Sequence, residues 1–288
     1  MTERAEREGR EERAERAERA ERGEPVERAF VPTVLAYAPR EKARELVRRA
    51  FSRRRAHLTV VRTATDADAA LRRTLTDAVI VDVGQPTDDT WVLASLAREL
   101  PSIPFFALSA MRPADAGVLA RCAALDFADL LAEGVDDALL RELVVPQAFS
   151  VRFAAALRHA HAELELQAPL QRQAWEFIVS AGGRMVRTEE IAEALLVTRE
   201  HLSRSFAADG APNLKRVIDL VRLIAAAELS KNAAYDLTDV SAVLAFASPS
   251  HLANTAQRVA GIRAASLTRL RTQDLLARFR QGRMRSRQ

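Results

Sequence analysis

Cysteine occurs once, glycine ten times and lysine three times in 288 residues. The lone Cys122 cannot form an internal disulfide. No apolar run reaches the roughly 18–20 residues that span a bilayer, and the charged N-terminus has no signal-peptide apolar segment. The glycines form no phosphate-binding loop, and no metal-ligand cluster or nucleophile elbow is present. These absences exclude a disulfide scaffold, a membrane protein and the common hydrolase chemistries. They lead us to expect a cytoplasmic, non-enzymatic protein without cofactor or metal.

What is present is unevenly distributed. Residues 1–29 hold 8 basic against 10 acidic side chains, and residues 30–145 hold 15 against 16. Residues 146–288 hold 20 against 13, so the C-terminal half is the basic one. A basic half points to a polyanion partner. Arginine dominates lysine throughout, but a compositional bias would not segregate charge between halves.

The opening E-R-A tract lacks an apolar stripe and reads as a solvated tail over residues 1–29. From Phe30 to about residue 145, continuous apolar strands alternate with amphipathic helices: "FVPTVLAYA", "HLTVVRTA", "DAVIVDV", "PFFALSA" and "FADLLAE". This pattern implies a five-stranded parallel sheet covered on both faces. Caps are expected at Thr65 or Asp66 for the helix "TDADAALRRTL". After Pro146 the strands stop. A connecting helix is expected over residues 146–169, ended by Pro169. An all-helical domain follows over 170–288 with a basic tail. His159 and His161 lie two residues apart, so a helix would not converge them on one metal.

Two stretches carry helix-turn-helix spacing. In "TEEIAEALLVTREHLSRSF", Thr188 and Thr198 are the expected caps, and Leu202 and Phe206 face inward. Arg199, Glu200, Ser203 and Arg204 are then left outward, and Arg204 can fork onto guanine. In "LTDVSAVLAFASPSHLANTAQRV", Thr238 is the expected first cap and Ser248-Pro249 opens the second helix. Ser250, His251, Asn254 and Arg258 face DNA on this reading. Asn254 can pair with adenine, and Arg258 with phosphate. The helix "NLKRVIDLVRLIAAAEL" between them is about 25 Å long, enough to set two recognition helices near one DNA turn apart.

Residues 170–271, through "IAEALLVTREHLSRSF", "LVRLIAAAEL" and "VSAVLAFASPSHLANTAQRVAGIRAASL", resemble the DNA-binding domain of AraC/XylS-type transcription regulators. The resemblance implies base-facing roles for Glu200, Ser203, Arg204, Ser250 and Asn254. It implies double-stranded DNA as partner, with RNA polymerase and a second copy of the chain as further candidates. Where that family has glycine, aromatic and proline, this chain has Ala245, Ala256 and Ala265.

Residues 31–143 resemble response-regulator receiver domains through "VDVGQP" and "ALSA". Asp82 then takes the phosphoacceptor position and Ser109 the responding hydroxyl. Receivers also use acidic residues after the first strand and a lysine after the fifth. Here Tyr37, Ala38 and Pro39 follow the first strand, and Ala132 or Glu133 stands in place of the lysine. An acid there opposes an incoming phosphate. The expectation is a degenerate receiver with Tyr37 filling the emptied pocket. The competing readings are an interaction module that has lost DNA binding and a phosphorylation-controlled response regulator. An alkyl-transfer repair protein is disfavoured, because Cys122 sits alone on an apolar-periodic helix.

Overall fold

The computed structural model describes residues 31–52 and 55–285; the charged N-terminal tail falls outside them. Five short strands build one sheet: β1 (Thr33–Tyr37), β2 (His57–Val61), β3 (Ala78–Asp82), β4 (Phe105–Ser109) and β5 (Asp129–Ala132). All neighbours are parallel, in the order β2-β1-β3-β4-β5. Parallel pairing requires crossovers, and the intervening helices supply them: α1 (Glu41–Ala50), α2 (Ala64–Arg73), α3 (Asp88–Glu99), α4 (Ala116–Ala124) and α5 (Asp137–Val144).

Alternation along the strands sorts the core into two layers. Val34, Ala36, Ile80, Phe106 and Leu108 pack with Leu46 and Val47 of α1 and Leu140 and Val144 of α5. Leu35, Tyr37, Val79, Val81, Phe105 and Ala107 face the other way, against Leu71 of α2, Leu93 of α3 and Cys122 of α4. Cys122 is fully buried, and that burial pushes its thiol pKa up despite the nearby Arg121.

Beyond the sheet the chain is helical: α6 (Phe149–Leu157), α7 (Ala160–Glu163), α8 (Pro169–Ser180), α9 (Thr188–Ala194), α10 (Arg199–Phe206), α11 (Leu214–Leu229), α12 (Leu237–Val243), α13 (Pro249–Ala260) and α14 (Thr272–Arg285). The single connecting helix expected over 146–169 is instead broken into α6 and α7. The Trp175 indole of α8 donates to the Leu157 carbonyl (3.2 Å), taking the acceptor that a continuous helix would have used. After Arg263 a 3₁₀ segment at Ala264–Arg269 precedes α14.

Helix α11 is buried on all sides, with thirteen of its sixteen residues inaccessible, and serves as the central post of the helical part. The helical part and the α2/α3/α4 layer share one continuous apolar cluster. Polar bonds reinforce that seam. Arg72 of α2 reaches Asp239 of α12 (2.6 Å), and the Tyr235 hydroxyl donates to the Leu71 carbonyl (2.8 Å). Burial, abetted by Asp239, pushes the Tyr235 phenol well above its ordinary pKa. Arg184 spans the seam elsewhere, reaching Asp77 just before β3 (2.5 Å), the Leu75 carbonyl (3.0 Å) and the Ser150 hydroxyl (2.6 Å). Gly182 and Gly183, both at positive φ, precede it; a Cβ on Gly182 would overlap the Ser150 hydroxyl, and one on Gly183 would overlap Ala225 of α11.

Candidate functional site

Asp82 ends β3 on the side of the sheet covered by α1 and α5 and is 1% exposed. Its carboxylate is fully engaged. The Arg40 Nε donates to both oxygens (2.8 and 2.9 Å), Arg40 Nη2 pairs closely with Oδ1, and the Gly84 amide adds a bond to Oδ1 (3.1 Å). The same Nη2 pairs closely with Glu133, whose second oxygen lies 3.1 Å from Lys42 Nζ. Arg40 is the residue immediately preceding α1, in an extended conformation that turns its side chain back over the strand ends.

The pocket is therefore a closed charge cluster of two carboxylates, one shared guanidinium and one ammonium. Burial works to raise the Glu133 carboxyl, but Arg40 and Lys42 outweigh it and hold its pKa below the ordinary value. Burial opposes the charge of Arg40, yet the hydrogen bonds it donates to Asp82 and Glu133 leave its pKa raised. Of Ala132 and Glu133, both expected here, it is Glu133 that enters the pocket, and Arg40 was not foreseen. Its partners lie 42 and 93 residues away, and no local spacing marks such a contact.

Tyr37 does not fill this pocket, contrary to expectation. Strand alternation turns it into the opposite core layer, where its hydroxyl stands 3.5 Å from that of Thr90. Ser109 is fully buried and donates to Asp115 (2.8 Å), while the Met111 amide donates to its hydroxyl (3.1 Å). The Ser109 bond comes first among the interactions that lower the Asp115 pKa.

The second set of candidate residues lies on α10 and α13. Each follows a short helix that ends in the same way. Leu196 and Ala245 take the left-handed conformation (φ 56° and 52°). The next amides return to the helix, Val197 to the Ala192 carbonyl (3.0 Å) and Phe246 to that of Ser241 (2.8 Å). These are Schellman turns, a position that usually takes glycine. The following helices are capped by Thr198, whose hydroxyl accepts from His201 N (3.1 Å), and Ser248, which accepts from His251 N (3.1 Å). The first helices of the two pairs begin differently from expectation. Arg187, not Thr188, occupies the N-cap of α9, and Asp236, not Thr238, caps α12 through Asp239 N (2.8 Å). In the sheet part Thr63 caps α2, two or three residues before the expected Thr65 or Asp66.

On α10, Leu202 and Phe206 are buried while Arg199, Glu200, Ser203 and Arg204 are exposed. Arg199 lies 3.1 Å from Glu189, an exposed pair of little energetic weight. On α13, Leu252, Thr255, Ala256 and Val259 are buried and Ser250, His251, Asn254 and Arg258 are exposed. Arg258 is held by Asp219 of α11 (2.9 Å). His251 packs edge-on to Phe246 (5.6 Å), and its Nδ1 accepts from the Ala247 amide (3.3 Å), which leaves Nε2 as the outward donor. Arg222 of α11 lies over the Phe246 ring (4.0 Å) and donates to the Leu244 and Ala245 carbonyls (2.9 and 3.2 Å), capping the end of α12.

Among the described residues no His, Cys, Asp and Glu cluster could hold a metal, and no helix is long and apolar enough to cross a membrane.

Strand order 2-1-3-4-5 with helices on both faces defines the sheet part as a doubly wound, receiver-like α/β fold, joined to a helical C-terminal region. Solved structures similar to the chain include a response regulator from Thermotoga maritima (22% identity, 41% of this chain and 97% of that one, TM-score 0.36). Others are full-length FixJ from B. japonicum (16%, 81% and 98%, TM-score 0.37) and a response regulator from Burkholderia pseudomallei (15%, 60% and 97%, TM-score 0.34). No protein-family model matches the chain, and no similar protein was found among curated ones.

Proposed function

We propose that the chain is a sequence-specific, double-stranded-DNA-binding transcriptional regulator of AraC/XylS type. Its receiver-like part works without accepting phosphate. The observation that carries this reading is the repeated turn: two helix-turn-helix units, each with a polar exposed second helix, anchored to one buried post. Arg204 forks onto guanine, Asn254 pairs with adenine, and Ser203, Ser250 and His251 supply adjustable donors and acceptors. Arg199 and Glu200 flank the first reading face. Arg258, oriented by Asp219, meets backbone phosphate. The net positive charge of residues 146–288 supplies sequence-independent attraction.

Phosphoryl transfer to a carboxylate needs free oxygens and a cation to gather charge around them. At Asp82 both oxygens are taken by Arg40, and Glu133 adds a negative charge beside them. This supports a receiver-like part that serves dimerisation or partner docking, with no catalysis assigned to it. The protein on this reading acts in the cytoplasm, on DNA and with RNA polymerase.

Gel shifts of the full chain on duplexes from its own upstream region test the proposal. Binding is expected with an affinity that falls linearly in log–log fashion with salt. Arg204→Ala is expected to relax discrimination at one base by about 1–3 kcal/mol. Absent or salt-insensitive binding supports an interaction module instead.

A further inference from the structure

A cleft of about 450 Å³ opens where the two parts meet. Pro101 and Ser102 line it from the turn before β4, Phe149, Arg152 and Phe153 from α6, and Glu228 and Lys231 from the end of α11. Its floor is aromatic: the Phe149 and Phe153 rings stack at 5.7 Å. Two of the three charges at its rim neutralise one another, since Lys231 Nζ lies 2.7 Å from both Glu228 oxygens.

Arg152 is different. Among the described residues its side chain makes one hydrogen bond, donated from Nη2 to the Ser102 carbonyl (2.8 Å), and pairs with no carboxylate. Partial burial lowers its guanidinium pKa. A cation of fixed fork geometry beside an apolar floor is suited to a carboxylate attached to a hydrophobic body.

We propose that this cleft is a binding site for a small apolar monocarboxylate, with Arg152 receiving the carboxylate and Phe149, Phe153 and Leu157 the hydrocarbon. A ligand there touches the sheet part, α6 and α11 at once, so its occupancy stiffens the seam between the two parts. The binding step is independent of the DNA-binding reading and is measured without DNA.

Titration calorimetry of the full chain with octanoate, and with octanamide as the uncharged counterpart, tests the site. Octanoate is expected to bind about 10- to 100-fold more tightly than octanamide, the worth of a charge-assisted bond. Arg152→Met removes that advantage and leaves octanamide binding unchanged. Ala156→Trp, at an exposed position of the cleft wall, blocks both probes and decides the matter should the arginine variant fold poorly. Failure of octanoate to bind, equal affinity for the two probes, or unaltered binding in Ala156→Trp overturns the proposal.

Discussion

The two ends of β3 carry the same chemistry put to different use. Just before its first residue stands Asp77, fully buried and met by Arg184 from the helical part; at its last residue stands Asp82, 1% exposed and met by Arg40 from the sheet part itself. Asp77 also accepts from the Thr33 amide (2.8 Å) and the Ser150 amide (3.0 Å), so its bonds reach β1 and α6 as well as Arg184. Asp82 shares its arginine with Glu133, and its cluster binds only the rim of the sheet. One aspartate thus fastens two parts of the molecule. The other closes a pocket. The lesson is that an arginine at a strand-end aspartate is a seam or a plug according to which segment delivers it.

Breaking the first pair has the larger expected effect. Arg184→Met leaves Asp77 buried without its cation and is expected to cost about 3–5 kcal/mol in urea denaturation. The transition is expected to separate into two steps as the parts uncouple. A single transition with an unchanged midpoint would show that the seam rests on apolar packing alone. Arg40→Gln is expected to cost less, about 2–3 kcal/mol, because Lys42 still faces Glu133 and the Gly84 amide still donates to Asp82. Its transition is expected to remain single.

Acid distinguishes the ends further. The Glu133 pKa is depressed in the fold, so the stability it confers is fully present above its unfolded value of about 4.3 and is lost as pH falls through the folded value. Denaturation midpoints of the wild type should therefore drop below about pH 4 more steeply than those of Arg40→Gln. Parallel curves would mean that Arg40 does not set the Glu133 titration. The smallest effect is expected in the helical part. Ala245→Gly relieves a left-handed alanine and should raise stability by about 0.5–1 kcal/mol by the same denaturation assay.

The same contrast explains what the sequence made legible. The strands were readable because runs such as "AVIVD" are buried on both faces, and the helices because Leu202 and Phe206, or Leu252 and Val259, fall at helical spacing. Caps were displaced by one to three residues, at Thr63, Arg187 and Asp236, because several polar residues compete near each helix start and only backbone geometry chooses among them. The break after Leu157 depended on a Trp175 bond eighteen residues away. Arg40, Arg184 and Arg222 were invisible for the same reason: their partners are distant in sequence, and a lone arginine has no periodicity.

On the proposed reading, Asp82, held by Arg40 through both oxygens, has none to offer a phosphoryl group. Incubating the full chain with acetyl phosphate and Mg²⁺, then weighing it intact, tests this directly. An unchanged mass is expected for the wild type; a stable gain of about 80 Da located at Asp82, one phosphoryl group, would show that the carboxylate is free to react.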